Sequence, residues 1–152
     1  MKTLVIDAEE AIKQSICGIF ADTGACDGAN DGNMGLELIK QAFEISQPYA
    51  LIILDIVLPE IDGHTIIKQI RQWEIDRGID TLNEAKILVV SRRRDEPTIL
   101  RAFRNGATGW ISKPVAMEEI VHKLNNLKCT YTEDLAKMGP MTHPPLRTRS
   151  SA

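Results

Sequence analysis

Residues suited to binding transition metals are scarce in this chain of 152 amino acids. Its three cysteines and three histidines are widely spaced, at Cys17, Cys26, Cys129, His64, His122 and His143. They form no His/Cys ligand pattern, which argues against a metal site of that class. We expect His64 and His122 on helix surfaces. An odd, sparse cysteine count is typical of a reducing cytoplasm, so we predict a cytoplasmic location.

Other functional classes also lack their usual sequence signals. No apolar run approaches the roughly 20 residues of a membrane-spanning helix. The chain starts directly on a strand-like segment, so we expect no signal peptide. The net charge of −3 argues against nucleic-acid binding by charge alone. No glycine-rich loop follows the first apolar run, which argues against nucleotide binding. We therefore expect neither a membrane nor a nucleic acid as a direct partner.

What the chain does have is a regular alternation of short apolar runs with segments of helical period. The predicted strands are residues 4–6, 25–31, 50–54, 86–91 and 109–112. The predicted helices are residues 9–20, 33–43, 63–73, 96–107 and 117–127. In the first helix, Ile12, Ile16 and Ile19 share one face. Five strands that alternate with five helices predict an α/β fold, with a parallel sheet covered on both faces.

Two segments depart from this alternation. From Cys129 onwards the chain is rich in proline, serine and threonine. We therefore predict a domain at residues 1–128 and a flexible tail or linker at residues 129–152, with a short helical turn at 132–139. Residues 74–85 exceed the length of a usual connection and are predicted to extend the loop before the fourth strand.

Polar side chains stand where four of the predicted strands end. Asp7 follows the first strand, Asp55 follows the third, Ser91 ends the fourth and Lys113 follows the fifth. Because ligands of open parallel sheets bind beyond the carboxyl ends of the strands, we expect these groups to converge. Paired carboxylates suit Mg²⁺, and a lysine with a hydroxyl suits a phosphoryl group. The pattern predicts metal-assisted phosphoryl transfer onto or through an aspartate.

These residues lie in four segments that resemble one family. The segments LVIDAEE, LIILDIVLPEIDG, VVSR and GATGWISKP resemble the receiver domain of two-component response regulators, in the CheY-like superfamily. The most specific match is the pattern D-x-x-x-P-x-x-D-G, which starts at Asp55, together with Lys113 and Pro114 downstream. The resemblance covers roughly residues 2 to 128. It implies a flavodoxin-like, doubly wound fold of five parallel strands in the order 2-1-3-4-5.

The resemblance also implies how the phosphoryl group is taken up. Asp55 would be the phosphoacceptor, supplied by phosphohistidine on a histidine kinase or a histidine phosphotransfer protein. Lys113 and Ser91 would contact the phosphoryl group. The cofactor would be Mg²⁺, bound by Asp7, Asp55 and the backbone carbonyl of Val57.

A conformational response is implied as well. Ser91 would be drawn to the phosphoryl group and Trp110 would move inward as the aromatic switch. The alternative for Trp110 is a structural role, as an edge-strand aromatic that buries apolar area. The Lys113–Pro114 bond is cis in many relatives. The chain would switch a partner, an output domain or a homodimer. It would have no enzymatic activity beyond its own phosphorylation and dephosphorylation.

Ala8 departs from the family pattern, which usually has a second Mg²⁺-binding acid at this position. The lost charge predicts weaker Mg²⁺ binding. Glu9 or Glu10 is an alternative ligand, although both also suit the start of a helix. The departure supports a second hypothesis, a degenerate receiver that binds partners without phosphorylation. An aspartyl phosphatase is disfavoured, because no second aspartate follows Asp7 at the spacing of those enzymes.

The loop of residues 91–96, SRRRDE, is rich in charge beside the predicted phosphate edge. Such runs are usually solvated. The alternative to a solvated loop is that Arg92 contacts a partner or the phosphoryl group.

Overall fold

The computed structural model describes residues 1–21 and 25–127. Each predicted strand and helix is present. The strands are β1 (Thr3–Ile6), β2 (Cys26–Ala29), β3 (Leu51–Leu54), β4 (Lys86–Ser91) and β5 (Gly109–Ser112). The helices are α1 (Glu10–Ile19), α2 (Gly32–Glu44), α3 (Gly63–Asp76), α4 (Glu96–Asn105) and α5 (Met117–Asn126). Among these helices, none has the length and apolar character needed to cross a membrane.

The strands form one parallel sheet in the order β2-β1-β3-β4-β5, which confirms the predicted fold. The register of the two central strands matters most for function. The last residue of β1, Ile6, lies beside the last residue of β3, Leu54. Asp7 and Asp55 therefore leave the sheet side by side at its carboxyl edge.

The helices cover the sheet in two layers, because successive side chains of a strand point to opposite faces. Leu4 and Ile6 belong to a buried cluster with apolar residues of α2, α3 and α4. Val5 belongs to a second cluster, with apolar residues of α1 and α5. Each of these three strand residues is at most 1% exposed. Full burial of such a side chain contributes about 1.5–3 kcal/mol, so β1 is held firmly where Asp7 begins.

Three helices begin at an aspartate whose carboxylate accepts a backbone N–H three residues later. These pairs are Asp31 with Met34, Asp62 with Thr65, and Asp95 with Thr98. Such N-caps satisfy amide groups that the first turn leaves unpaired, and they stabilise the starts of these helices. Asp62, which belongs to the D-x-x-x-P-x-x-D-G pattern, thus has a structural role at the start of α3.

The predicted loop at residues 74–85 is wrong in its first part, because α3 continues to Asp76. Glu74 is buried in that last turn, where its carboxylate pairs with Arg71 at 2.7 Å and accepts the Ala85 N–H at 2.7 Å. Arg71 also donates to the carbonyl of Gly106 through Nε at 3.1 Å and Nη2 at 2.8 Å. We call Arg71, Glu74 and Gly106 the α3–α4 clasp, since they fix the end of α4 to α3.

Cys17 and Cys26 form a disulfide between α1 and the start of β2, with their Cα atoms 5.5 Å apart. This pairing runs against the reducing compartment that the cysteine count indicated. Sequence spacing did not reveal it, because the contact arises only when α1 packs back over β2. The cytoplasmic location stays a prediction.

His64 is not on a helix surface as expected. It lies near the start of α3 and is only 4% exposed. Its Nδ1 is buried, with no hydrogen-bond partner among the described residues. Burial and the nearby Arg101 guanidinium lower the pKa of His64, and the opposing effect of the Asp62 carboxylate is smaller. The fold therefore favours the neutral imidazole.

This histidine predicts a pH dependence of stability. The unfolded chain protonates His64 near its ordinary pKa of 6.5, whereas the folded protein protonates it only at lower pH. Stability should therefore fall as the pH drops below about 6.5. The free energy of unfolding, measured with urea, should fall less from pH 7.5 to pH 5.5 for His64→Gln than for the unmodified protein. The matched control, His122→Gln on α5, should keep the full loss; equal losses for all three proteins would contradict the assignment.

The predicted division of the chain at residue 128 stays a prediction. The tail at residues 129–152, with the helical turn predicted at 132–139, lies outside the described residues.

Candidate functional site

Asp7 and Asp55 stand at the carboxyl edge of the sheet as the sequence predicted, and both are buried, at 2% and 8% exposure. Each is oriented by its own loop. One oxygen of Asp7 accepts the Glu9 N–H at 2.9 Å, and one oxygen of Asp55 accepts the Val57 N–H at 3.0 Å. The second oxygen of each carboxylate faces into the space between the strands, where a cation is needed to offset the cost of two buried charges.

Lys113 provides that cation. It follows β5, and its Nζ lies 2.9 Å from Asp7 Oδ2, 2.9 Å from Asp55 Oδ2 and 2.9 Å from Glu9 Oε2. Burial alone lowers the pKa of the Lys113 ammonium, but its hydrogen bonds to the three carboxylates outweigh burial and raise that pKa above its ordinary value. The ammonium therefore stays charged. The Lys113–Pro114 bond is cis, as the resemblance implied.

Three carboxylates meet at this point, those of Asp7, Glu9 and Asp55. One oxygen from each lies within 4.8 Å of the others, a spacing that suits a shared metal ion. Hard oxygen ligands of this kind match Mg²⁺. The donor set thus fits the ion, even though Ala8 supplies no carboxylate.

Of the two glutamates considered as replacements for the acid at Ala8, only one reaches the pocket. Glu9 contacts Lys113, and this hydrogen bond is the main cause of a pKa below the ordinary value for Glu9. Glu10 pairs instead with Lys13 at 2.8 Å in the first turn of α1. Val57 contributes its N–H to Asp55; the metal-binding role predicted for its carbonyl stays a prediction.

Ser91 and Trp110 occupy the positions expected for the switch pair, and that role stays a prediction. Ser91 ends β4 with no solvent exposure, and its hydroxyl accepts the Arg93 N–H at 3.2 Å. Trp110 is partly buried on β5 and packs against the apolar cluster beneath α2, α3 and α4. Its indole nitrogen is buried, with no hydrogen-bond partner in the part of the chain described.

Two arginines of the loop after β4 attach this loop to the pocket. Arg92 donates through Nη2 to both carboxylate oxygens of Glu9, at 3.0 and 3.1 Å. Arg94 donates to the backbone carbonyl of Lys113 at 3.1 Å. The alternatives predicted for Arg92 were solvent, a partner or the phosphoryl group, and Glu9 was not among them. No sequence signal indicated Arg94, because loop side chains follow no periodic pattern.

The turn after Asp55 requires glycine at position 63. A Cβ there would lie 2.6 Å from Ile56 Cα and 2.9 Å from the Asp55 carbonyl oxygen, which are backbone atoms that cannot step aside. We expect Gly63→Ala to lower the free energy of unfolding by about 2 kcal/mol, measured by urea denaturation. Gly18→Ala is the control, since a Cβ on Gly18 meets nothing within 4 Å. It should stabilise α1 slightly, so a loss of similar size in both variants would contradict the argument.

Comparison with known proteins agrees with this geometry. The family model described as "Response regulator receiver domain" matches residues 3–125. A curated relative, the probable C4-dicarboxylate response regulator DctR of Bacillus subtilis, is 33% identical over 68% of this chain and 40% of its own length. This chain spans between 40% and 58% of the length of the curated relatives that it matches first.

Solved structures show the same fold. The CheX–CheY–BeF3–Mg²⁺ complex from Borrelia burgdorferi matches with a TM-score of 0.71 at 19% identity, over 86% of this chain and 90% of that one. The beryllofluoride-activated NtrC4 receiver domain dimer matches with a TM-score of 0.67 at 25% identity, over 82% of this chain and 93% of that one. From the family match and the fold together, the chain belongs to the receiver domains of response regulators.

Proposed function

We propose that this receiver domain accepts a phosphoryl group on Asp55 from a phosphohistidine. A carboxylate oxygen of Asp55 attacks phosphorus, the bond from phosphorus to the imidazole nitrogen breaks, and the nitrogen keeps the electron pair and takes up a proton. The observation that carries the proposal is the contact of Asp55 with Lys113 at 2.9 Å inside an acidic pocket. A buried nucleophile beside a fixed cation is what such a charged transition state requires.

Asp7, Asp55 and the backbone carbonyl of Val57 would hold Mg²⁺, which would neutralise charge on the phosphoryl oxygens. Glu9 reaches the same pocket, but its carboxylate is engaged by Lys113 and Arg92. Lys113 would then hold a phosphoryl oxygen, and Ser91 would donate a hydrogen bond to another. Movement of Ser91 towards this group would leave space for Trp110 to follow.

The direct test is intact-mass measurement after incubation with Mg²⁺ and a small phosphodonor such as acetyl phosphate. We expect a gain of one phosphoryl group that is lost on treatment with hydroxylamine, because an acyl phosphate is sensitive to this nucleophile and a serine phosphate is not. No gain at saturating Mg²⁺ would overturn the proposal. It would favour the second hypothesis, a degenerate receiver that binds partners without phosphorylation.

Ala8 is the observation that favours this second hypothesis, and it makes a prediction of its own. Restoring a carboxylate with Ala8→Asp should tighten Mg²⁺ binding by roughly tenfold, because one more charge faces the dication. Trp110 fluorescence during Mg²⁺ titration, in a Trp73→Phe background, gives the affinity. Ala8→Asn is the matched control without the charge and should bind as the unmodified protein does. Equal affinity of all three would show that the missing acid is already compensated.

The partners follow from the proposed chemistry. The donor would be a histidine kinase or a histidine phosphotransfer protein, and the recipient of the signal an output domain, a separate partner or a second copy of the chain. We also propose that the domain acts in the cytoplasm and catalyses only its own phosphorylation and dephosphorylation. Relatives named as response regulators that are longer than this chain support the proposal of an output domain, and a receiver dimer among the similar structures supports that of a second copy.

A further inference from the structure

Three carboxylates surround the ammonium group of Lys113 in the described structure. Glu9 and Asp55 accept hydrogen bonds from it at 2.9 Å, and Asp7 forms an ion pair with it at 2.9 Å. A phosphoryl group that approaches Asp55 therefore meets a cation that is already occupied by three carboxylates. It also meets the negative charge of Glu9, which repels it. One of the three carboxylates has to withdraw before Lys113 can bind a phosphoryl oxygen.

Glu9 is the carboxylate best able to leave. The side chains of Asp7 and Asp55 are 4% and 11% exposed, and each is anchored by a backbone N–H at the start of its own loop. The Glu9 side chain is 42% exposed. It also has a second cation at hand, because Arg92 contacts both of its carboxylate oxygens.

Arg92 belongs to a different loop and lies nearer to solvent, with a side chain that is 63% exposed. It can therefore follow Glu9 outwards while the contact between them persists. Lys113, at 1% exposure and with Arg94 on its backbone carbonyl, stays in place. The Glu9–Arg92 pair thus lies across the mouth of the pocket, between the β1–α1 and β4–α4 loops. Its inner member, Glu9, contacts Lys113.

We propose that Glu9 and Arg92 form a movable ion pair that occupies Lys113 until a phosphoryl group displaces it. Glu9 acts as a positioning residue that competes with the incoming group, and Arg92 holds Glu9 once it has withdrawn. This inference rests on the proposed function of Asp55. It assigns Glu9 a role other than that of a metal ligand.

The two single variants should have opposite effects. Glu9→Gln removes the competing charge and frees Lys113, so an anionic phosphoryl mimic should bind more tightly, by about tenfold. Arg92→Gln removes the outer partner and leaves Glu9 on Lys113 alone, so the mimic should bind less tightly. In the double variant no carboxylate competes for Lys113, so the loss of Arg92 should have no further effect and the affinity should equal that of Glu9→Gln. Such non-additivity identifies two residues that act as a pair.

The experiment titrates beryllofluoride at saturating Mg²⁺, established separately for each protein, with fluorine NMR of the bound species as the readout. Glu10→Gln is the matched control, since Glu10 pairs with Lys13 outside the pocket; its affinity should be unchanged. Arg92→Lys keeps a cation for Glu9 and should restore most of the affinity lost in Arg92→Gln, which a merely structural role of the guanidinium would not explain.

Four results would overturn the inference. If Glu9→Gln binds the mimic less tightly and needs more Mg²⁺, Glu9 is a metal ligand. If both single variants match the unmodified protein, the ion pair has no part in the reaction. If the unmodified protein binds no beryllofluoride and gains no phosphoryl mass, the proposed function fails together with the inference. Binding by the unmodified protein without tightening in Glu9→Gln removes the inference alone.

Discussion

Replacement of Asp55 by asparagine should abolish phosphoryl uptake completely. The amide oxygen of asparagine can still accept the Val57 N–H that orients this side chain, and Lys113 keeps Asp7 and Glu9 as partners. The variant should therefore fold, yet it lacks the anionic oxygen that attacks phosphorus. Intact mass after incubation with acetyl phosphate and Mg²⁺ should show no adduct.

Asp27→Asn is the matched control for this experiment. Asp27 lies on β2, where its carboxylate accepts the hydroxyl of Tyr49 at 2.6 Å, and it takes no part in the pocket. This variant should gain one phosphoryl group as the unmodified protein does. An adduct of equal yield on Asp55→Asn would place the phosphoacceptor elsewhere and remove the central claim.

Replacement of Lys113 by methionine should have the largest effect on stability. Methionine fills a similar volume but leaves the buried carboxylates of Asp7 and Asp55 without their shared cation. Removing one partner of a buried ion pair typically costs about 3–5 kcal/mol. We therefore expect the free energy of unfolding, measured with urea in the absence of divalent cations, to fall by an amount near this range. Phosphoryl uptake should be lost as well.

Magnesium should rescue the same variant in part. With the ammonium gone, the dication takes its place as the positive charge that both aspartates share, so Mg²⁺ should stabilise Lys113→Met more than it stabilises the unmodified protein. Lys40→Met, on the exposed side of α2, is the control and should show neither the loss nor the rescue. Equal unfolding free energies for the two lysine variants would contradict the role assigned to Lys113.

The fold and the centre of the site could be predicted because they depend on strongly periodic features. Apolar runs and helical stripes define the five strands and five helices, and the strand-end rule brings Asp7, Asp55 and Lys113 to one edge. No knowledge of side-chain conformation is needed for that step. The geometry adds that the Lys113 ammonium contacts both carboxylates.

What could not be predicted depends on contacts between elements that are distant in the sequence. Glu74 looks like a loop residue because it is charged, and its buried partners, Arg71 and the Ala85 N–H, become apparent only once α3 is extended and the chain returns to β4. His64 was likewise predicted on a helix surface because it is polar, and its burial depends on the elements that pack around the start of α3. The engagement of Glu9 by Arg92 joins residues 83 positions apart through two loops, and neither loop has a repeating pattern from which the contact follows.

The α3–α4 clasp has a mechanical consequence. Gly106, at the far end of α4, is fixed by two hydrogen bonds from Arg71, whereas the near end of α4 follows the loop that carries Arg92. A helix that is held at one end and displaced at the other rotates about the held end. Displacement of this loop would therefore rotate α4 about Gly106, and the N-terminal end of α4, beside the pocket, would move furthest. The exposed Leu100 and Phe103 of α4 would be reoriented by the same swing, and the apolar surface that a binding partner meets would change with it.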